Sequence, residues 1–417
     1  MYKVDNFING EASLVSSESS SIVNPSYGTV IGEVLYATKD SANAAVESAY
    51  EASKAWAKTG LSFRAELILK FRQGIINRSS EIVDICISEA GKTRPDAEAE
   101  LDRAVQALTH AAGVQHFFPT NYSQNVAGGI DIADLRFPIG VVAGVGPFNF
   151  PILIPILHSA MALVTGNTYI AKPSEKVPSI SRLYADIWKE AGLPDGCYNV
   201  INGEKEIVEL LVRHEKVDGL AFIGSTTAAK SLKMLGVEHN TKVQALGGGK
   251  NHMIVLPDAD LDMSADAAVS ASFGAAGQRC MAVSVVVAVG DIADDLISKI
   301  KARMPDLVMG VTDDEKTQLG PVISQANKDR IYSFIDSAEP DGASLVVDGR
   351  HRSNSLEGCF VGPTLIDNVK PGMSVYENEI FGPVLCFVRA KTYDEAMQIT
   401  HSHQLGNGAA LFTRDGG

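Results

Sequence analysis

FPIGVVAGVGPFNFPILIPILHSAMALVTGNTYIA, residues 137 to 171, contains no Asp, Glu, Lys or Arg. A transmembrane helix needs only about 20 such residues. Prolines at 138, 147, 151 and 155 break this run, and Asn149, His158 and Asn167 are polar. Proline removes a backbone donor and interrupts a continuous helix. The stretch therefore reads as a buried strand (137–145), a loop, a helix (roughly Ile152 to Leu163) and a second strand, TYIAK (168–172).

The alternation continues downstream. Ser179 to Ala191 reads as helix, GCYNVI (196–201) as strand, Glu206 to His214 as helix, GLAFIG (219–224) as strand and Thr226 to Leu235 as helix. Strands alternating with helices predict an α/β fold whose parallel sheet carries helices on both faces. A second alternating run is expected from near Val243 to the end. Upstream, residues 40–117 read as successive amphipathic helices and SSESSS (16–21) as a short polar loop. Residues 117–136 interrupt the pattern as an extended excursion, and no internal repeat occurs.

At 417 residues the chain is long enough for two or three domains. A net charge of −14 argues against a general nucleic-acid surface, which needs a basic patch. The five cysteines, Cys86, Cys197, Cys280, Cys359 and Cys386, are scattered and odd in number. They suggest neither a disulfide framework nor a structural zinc site, and a cytoplasmic home is the simplest expectation. The start, MYKVDNFING, has no apolar signal core. His110, His116, His158, His252 and His351 lack metal-motif spacing, so no metal is expected.

Gly277-Gln278-Arg279-Cys280-Met281 lies between an apolar helix (Ala265 to Phe273) and an apolar strand (Ser284 to Val289). A cysteine by itself is more often a small buried hydrophobe. Here an arginine precedes it and a glycine-rich loop, Gly274 to Gly277, leads in. A neighbouring cation favours the thiolate, the form that attacks carbonyls. Asn149 sits among prolines and phenylalanines, where its amide either donates to an oxyanion or satisfies loop backbone. Gly224-Ser225-Thr226 ends a strand and opens a helix, which is a phosphate site or an ordinary helix cap. Lys172 and Glu175, at the end of the TYIAK strand, either hold ribose hydroxyls or form a solvated turn. In Glu377-Asn378-Glu379-Ile380-Phe381, Glu379 either binds a hydroxyl pair with Phe381 against a flat ring, or the segment is a surface turn.

Taken together, PFNFP, KPSEK, FIGST, GQRC and ENEIFGPV resemble the aldehyde dehydrogenase superfamily in order and approximate spacing, over essentially the whole chain. ALGGGKNHMIVLPDADLD with FGAAGQRCMA resembles its CoA-acylating methylmalonate-semialdehyde dehydrogenases. The resemblance implies NAD as cofactor, coenzyme A as co-substrate and a small carboxylated aldehyde as substrate. It implies Cys280 as the nucleophile, with Asn149 and the Cys280 backbone N–H stabilising the oxyanion. Lys172 and Glu175 would bind the adenine ribose, with Lys176 nearby, and Ser225 after Gly224 would contact the pyrophosphate. Glu379 would hold the nicotinamide ribose beside Phe381, while Gly146, Phe148 and Gly247 would line the cofactor groove. Arg103 and Arg279 would grip the substrate carboxylate, a geometry suited to paired guanidinium groups.

Hydrolytic members of the superfamily carry a glutamate four residues before the lysine of their ELGGK motif. Counted from Lys250, that position is Leu246, which cannot act as a general base. The implied reaction is oxidation of methylmalonate or malonate semialdehyde to propionyl-CoA or acetyl-CoA, with loss of CO2 or bicarbonate. The alternatives are a hydrolysing NAD-dependent semialdehyde dehydrogenase and an inactive member serving as a binding or assembly protein. The implied fold pairs a Rossmann-like NAD-binding domain (1–116 and 137–246) with an α/β catalytic domain (247–417) and a small β oligomerisation ribbon (117–136). The family continues beyond NGAALFTRDGG (407–417), so its C-terminal end is expected to be absent. A homo-oligomer, dimer or tetramer, is expected of the full-length family, and neither membrane nor nucleic-acid partners are expected.

Overall fold

In the computed structural model, which describes every residue except Ser17, Pro119, Asn354 and Ser355, the 137–171 stretch folds as strand, loop, helix and strand. The elements are Val141–Val145, Leu153–Val164 and Thr168–Lys172. The first strand starts four residues later than expected. Its approach is held by side chains instead of a ladder: Asn167 Oδ1 accepts from the Ile139 and Gly140 N–H groups, and Asp218 Oδ2 from Val141. Among the described residues no helix is long and apolar enough to cross a membrane.

Contacts divide the chain into two compact units, Met1–Val23, Val30–Cys86 and Ala97–Gly247 in one, and Asn24–Thr29, Ile87–Asp96 and Gly248–Gly417 in the other. The expected excursion at 117–136 groups with the first unit, whereas 24–29 and 87–96 group with the second.

The first unit is built on a seven-stranded sheet. Its order is Lys242–Leu246, Gly219–Ile223, Val141–Val145, Thr168–Lys172, Tyr198–Val200, Asn6–Ile8 and Glu11–Ser13. The first five are mutually parallel, and the last two join antiparallel. Numbered along the chain, the parallel five lie in the order 5-4-1-2-3, so the winding reverses between Val141–Val145 and Gly219–Ile223. Ligands of such sheets bind at the C-terminal strand ends near that reversal. The central strands Val141–Val145 and Thr168–Lys172 are covered on both faces, which is why they read as near-continuous apolar runs.

One face packs against the Lys39–Trp56 helix. Its buried Ala42, Ala45, Val46 and Ala49 recur at helical spacing and meet Val141, Ala143 and Ile170. Thr38 caps that helix, its hydroxyl accepting from Ser41 N. On the other face Phe71 stacks on Trp188, ring centroids 3.8 Å apart, and Tyr169 lies beside Tyr198.

Lys242–Leu246 corrects one expectation. The second alternating run does not begin near Val243, because this strand pairs with Gly219–Ile223 in the first sheet. The second sheet begins at Asn251, after the GGGK segment (247–250). The predicted polar loop at 16–21 is also partly strand, since Ser19–Asn24 joins a three-stranded sheet with Tyr2–Val4 and Thr29–Leu35. Ser17 of that loop, and Pro119 of the expected excursion, lie outside the described residues. The rest of the excursion contains an antiparallel ribbon, Asn121–Ala127 with Ile130–Asp134, whose residues are almost all exposed.

The second unit has a six-stranded sheet in the order Ser344–Val347, Thr364–Asp367, Val384–Ala390, Val283–Val289, Asn251–Val255 and Ala409–Phe412. Only the first pair is antiparallel. The Leu261–Phe273 and Ala293–Arg303 helices contribute Ala265, Ala268, Leu296 and Ile300 to one core cluster. Gln325–Ala338 and Tyr393–Ser402 contribute Ile331, Ile335 and Ala396 to the other.

Candidate active site

Strand register sets the site of the first unit. Val145 lies abreast of Lys172 on one side and Phe222 on the other, and Ile223 abreast of Leu246. Gly146, Lys172, Gly224 and Gly247 therefore emerge together at the C-terminal edge of the sheet. Gly146 is buried and donates to the Lys172 carbonyl at 3.0 Å. A Cβ on Gly247 would sit 3.0 Å from Thr226 Cα, so the chain passes closest to the helix where it has no side chain. Ser225 caps Thr226–His239, its hydroxyl accepting from Ala228 N at 3.3 Å. The plain helix-cap role is thus occupied, and the same turn presents first-turn N–H groups suited to an anion.

Lys172 is buried, and its ammonium donates to Gly203 O at 2.9 Å. Burial holds its pKa below the usual lysine range, with the charges of Glu175 and Glu204 opposing that shift. Burial also pushes the Tyr36 hydroxyl, bonded to Ser20 and Glu204, up to about 12. Glu175 is half-buried, while Lys176 is exposed.

Asn149 is buried in the loop ahead of the Leu153–Val164 helix. Glu100, a residue unread in the sequence, fixes this loop. One carboxylate oxygen accepts from both Ile152 N and Leu153 N at 2.8 Å, and the Tyr184 hydroxyl donates to Ile152 O. A carboxylate at a helix start complements the helix dipole. Phe148 is half-buried beside Asn149 in sequence. Arg103 lies on the Arg94–Ala112 helix and reaches Gln106 Oε1 at 3.4 Å. With Gln106, His110, Leu153, Leu157 and Met161 it lines a cavity of about 390 Å³. A cationic group at an apolar cavity suits a small substrate with one carboxylate.

In the second unit Cys280 is half-buried, whereas the other four cysteines are buried. The turn leading to it is left-handed at three successive residues, Ala275 (φ 50°), Ala276 (φ 52°) and Gly277 (φ 69°). Such a conformation costs roughly 1–2 kcal/mol for each alanine, and strain of this kind concentrates at functional sites. Gly277 is obligatory, because a Cβ would lie 2.1 Å from Gly382 O. Gln278 secures the turn, its amide accepting from Ile323 N at 2.9 Å.

Arg279, expected to favour the thiolate, has its charge paired with a carboxylate. Its guanidinium rests against Gly274, where a Cβ would collide, and pairs with Asp96 at 2.5 Å. The Cys280 thiol is instead pushed above its ordinary value, chiefly by burial. The N–H groups of Cys280 and Met281 oppose the shift, and the Glu379 charge adds to it. Arg279 nonetheless lines one small cavity with Cys280, Glu379 and Phe381.

Glu379 accepts from Gly249 N at 3.1 Å, and burial raises its pKa. Two cations brace its segment, the motif lysine Lys250, given no such role from the sequence, and Arg330, unread there. Lys250 donates to Val375 O and Asn378 O, both at 2.7 Å, and Arg330 donates to Glu379 O and Ile380 O. Phe381 sits at φ 56°, another left-handed non-glycine residue. Asn251 and Asn407, also unread, both donate to the Cys280 carbonyl. Their only sequence signals are a position directly after GGGK and a position between two glycines.

Residues 14–417 match the family described as "Aldehyde dehydrogenase family". Malonate-semialdehyde dehydrogenase 1 of Geobacillus thermodenitrificans is 39% identical over 414 residues, covering 99% of this chain and 86% of the relative. The malonate-semialdehyde dehydrogenase of Pseudomonas aeruginosa is 40% identical over 419 residues, covering 100% and 84%. The crystal structure of methylmalonate-semialdehyde dehydrogenase from Oceanimonas doudoroffii matches with a TM-score of 0.97 at 40% identity, over 100% of this chain and 86% of that one. A Sinorhizobium meliloti structure of a candidate enzyme of the same name, complexed with NAD, matches at 0.96 and 41%, again over 100% and 86%. With these relatives covered for most of their length, the expected absence of the family's C-terminal end is not supported.

Proposed function

Since the chain belongs to the aldehyde dehydrogenase family, we propose that it oxidises malonate or methylmalonate semialdehyde with NAD and passes the acyl group to coenzyme A. The observation that carries this reading is Cys280, the one cysteine not buried, presented on a strained turn in a cavity with Glu379. The relatives' names supply the substrate class. The C-terminal edge of the first unit's sheet suits a dinucleotide, with small residues at Gly146, Gly224 and Gly247 and a helix start at Ser225.

In this reading the Cys280 thiolate adds to the aldehyde carbon and forms a hemithioacetal. Asn149 donates to the oxyanion, a role suited to an amide held in a dry loop. NAD supplies the hydride acceptor. Collapse of the oxyanion leaves a thioester on Cys280, and the coenzyme A thiol attacks it, releasing the cysteine as thiolate. Loss of the β-carboxyl as CO2 or bicarbonate gives acetyl-CoA or propionyl-CoA. Leu246 supports thiol transfer over hydrolysis, because leucine activates no water. The exposed ribbon at 121–134 is read as an oligomerisation element.

The test is NADH formation from both semialdehydes with and without coenzyme A. Steady turnover with coenzyme A and a single burst without it are expected. Fast turnover to the free acid without coenzyme A overturns the acyl acceptor, and absence of NADH with either aldehyde overturns the substrate class.

A further inference from the structure

Two asparagine amides converge on the carbonyl oxygen of Cys280. Asn251 Nδ2 reaches it at 2.9 Å and Asn407 Nδ2 at 2.8 Å. A carbonyl oxygen has two lone pairs, so this one is fully used by side chains. Asn251 is itself oriented: its Oδ1 accepts from Gly408 N at 2.8 Å, and its Nδ2 also donates to Ala282 O at 2.7 Å. The strands behind the two amides are parallel neighbours, with His252 opposite Ala409. Three consecutive features of the fold thus meet at one peptide bond.

We propose that Asn407, acting with Asn251, is a positioning residue for the nucleophile, locking the peptide between Cys280 and Met281 so that the attacking sulfur keeps one orientation. This rests on the reading of Cys280 as nucleophile. The peptide unit is planar and trans, so fixing the Cys280 C=O also fixes the Met281 N–H, which points the opposite way. That N–H is one of the two backbone donors that favour the thiolate. In a site where Arg279 is turned toward Asp96, backbone donors are the local source of such help.

Asn407 also bears a backbone cost. Its φ of 117° is rare for a residue with a side chain, and its Cβ fits only because Gly249 lacks one, which would come within 2.9 Å. Glycine would adopt this conformation without strain. An asparagine retained there is explained by what its amide holds.

Asn407→Gly is therefore a clean probe, removing the amide while relaxing the backbone. Asn407→Asp keeps the shape and replaces the donor with an acceptor facing the same carbonyl. Two rates are read: alkylation of Cys280 by iodoacetamide as a function of pH, located by peptide mapping, and the NADH burst with malonate semialdehyde. Both variants should alkylate up to about tenfold more slowly near neutral pH, the scale of misaligning one backbone donor, the Met281 N–H, that favours the thiolate. Their profiles should move to higher pH, the burst should slow in parallel, and NAD affinity should stay as in wild type. Alkylation profiles that superpose on wild type in both variants overturn the proposal, even if thermal stability falls. If wild type forms no NADH from either semialdehyde, the functional reading fails, and the alkylation profiles still decide the clamp.

Discussion

The two units present their candidate site residues at opposite ends of their strands. In the first, Gly146, Lys172, Gly224 and Gly247 follow the C-terminal ends of parallel strands. In the second, Lys250, Cys280, Glu379 and Asn407 precede the strands Asn251–Val255, Val283–Val289, Val384–Ala390 and Ala409–Phe412. The C-terminal edge of a parallel sheet comes with a generic advantage, since each following helix aims its N–H groups at the same place. The N-terminal edge has no such field. There the site is assembled by side chains that seize main-chain atoms: Asn251 and Asn407 on Cys280, Gln278 on Ile323, and Lys250 and Arg330 on the Glu379 segment.

If binding belongs to the first unit and covalent chemistry to the second, removing the sulfur should separate them. Cys280→Ala should lower NADH formation by at least about 10³-fold, as expected when a covalent nucleophile is removed. NAD affinity, measured by fluorescence or calorimetry, should stay within about twofold of wild type. Residual turnover within tenfold of wild type would remove Cys280 from the chemistry and, with it, the contrast between the units.

The same contrast governs what was legible in the sequence. The first unit's alternation was readable because period and length separate strand from helix, and TYIAK was predicted with the observed bounds. The edge strand Lys242–Leu246 was read as the start of the second alternating run, although the expected domain bound at 246 kept it with the first, since nothing local says which neighbour an edge strand will pair with. The motif around Cys280 was visible, but its electrostatics were not. Adjacency in sequence suggested that Arg279 serves the thiol, and only folding brings Asp96 to claim it. Glu100 escaped notice for the same reason: its partners, Ile152 and Leu153, lie far along the chain.

The two arginines extend the comparison to substrate choice. Arg279, in the second unit, is committed to Asp96, whereas Arg103, in the first, forms no ion pair among the described residues and lines an apolar cavity. Arg103→Leu should therefore act on the substrate carboxylate with little other disturbance. Arg103 is exposed in the free protein, so its contribution arises once substrate covers it; losing one partner of a charge pair buried in that way typically costs about 2–5 kcal/mol. The ratio of kcat/KM for malonate semialdehyde over propionaldehyde should fall by roughly tenfold or more. Arg279→Leu also strands Asp96, so it should lower thermal stability as well. An unchanged ratio in Arg103→Leu would leave the carboxylate without a recognised partner in the first unit.

The smallest effect falls on stability and asks whether the units respond alike to acid. Burial holds His158, in the first unit, and His252, in the second, at a pKa of about 4. An unfolded histidine titrates near about 6.5. Above that value both states are neutral and neither residue contributes. As pH falls from about 6.5 toward 4, the unfolded chain takes up a proton that the folded chain refuses, so stability declines. At pH 5 each histidine should cost at most about 2 kcal/mol. Their surroundings differ, however. His158 Nδ1 is shut away with no partner among the described residues, whereas His252 bonds the Lys250 carbonyl and the Tyr376 hydroxyl. His158→Leu should therefore reduce the loss of unfolding free energy between pH 7.5 and pH 5 at little cost at pH 7.5. His252→Phe should remove a similar loss but weaken the protein at pH 7.5, because the Lys250 carbonyl loses a buried partner. Urea unfolding of the three proteins at both pH values decides the matter. A His158→Leu protein as acid-sensitive as wild type would mean that this histidine is protonated without penalty, and that acid acts on the two units through different groups.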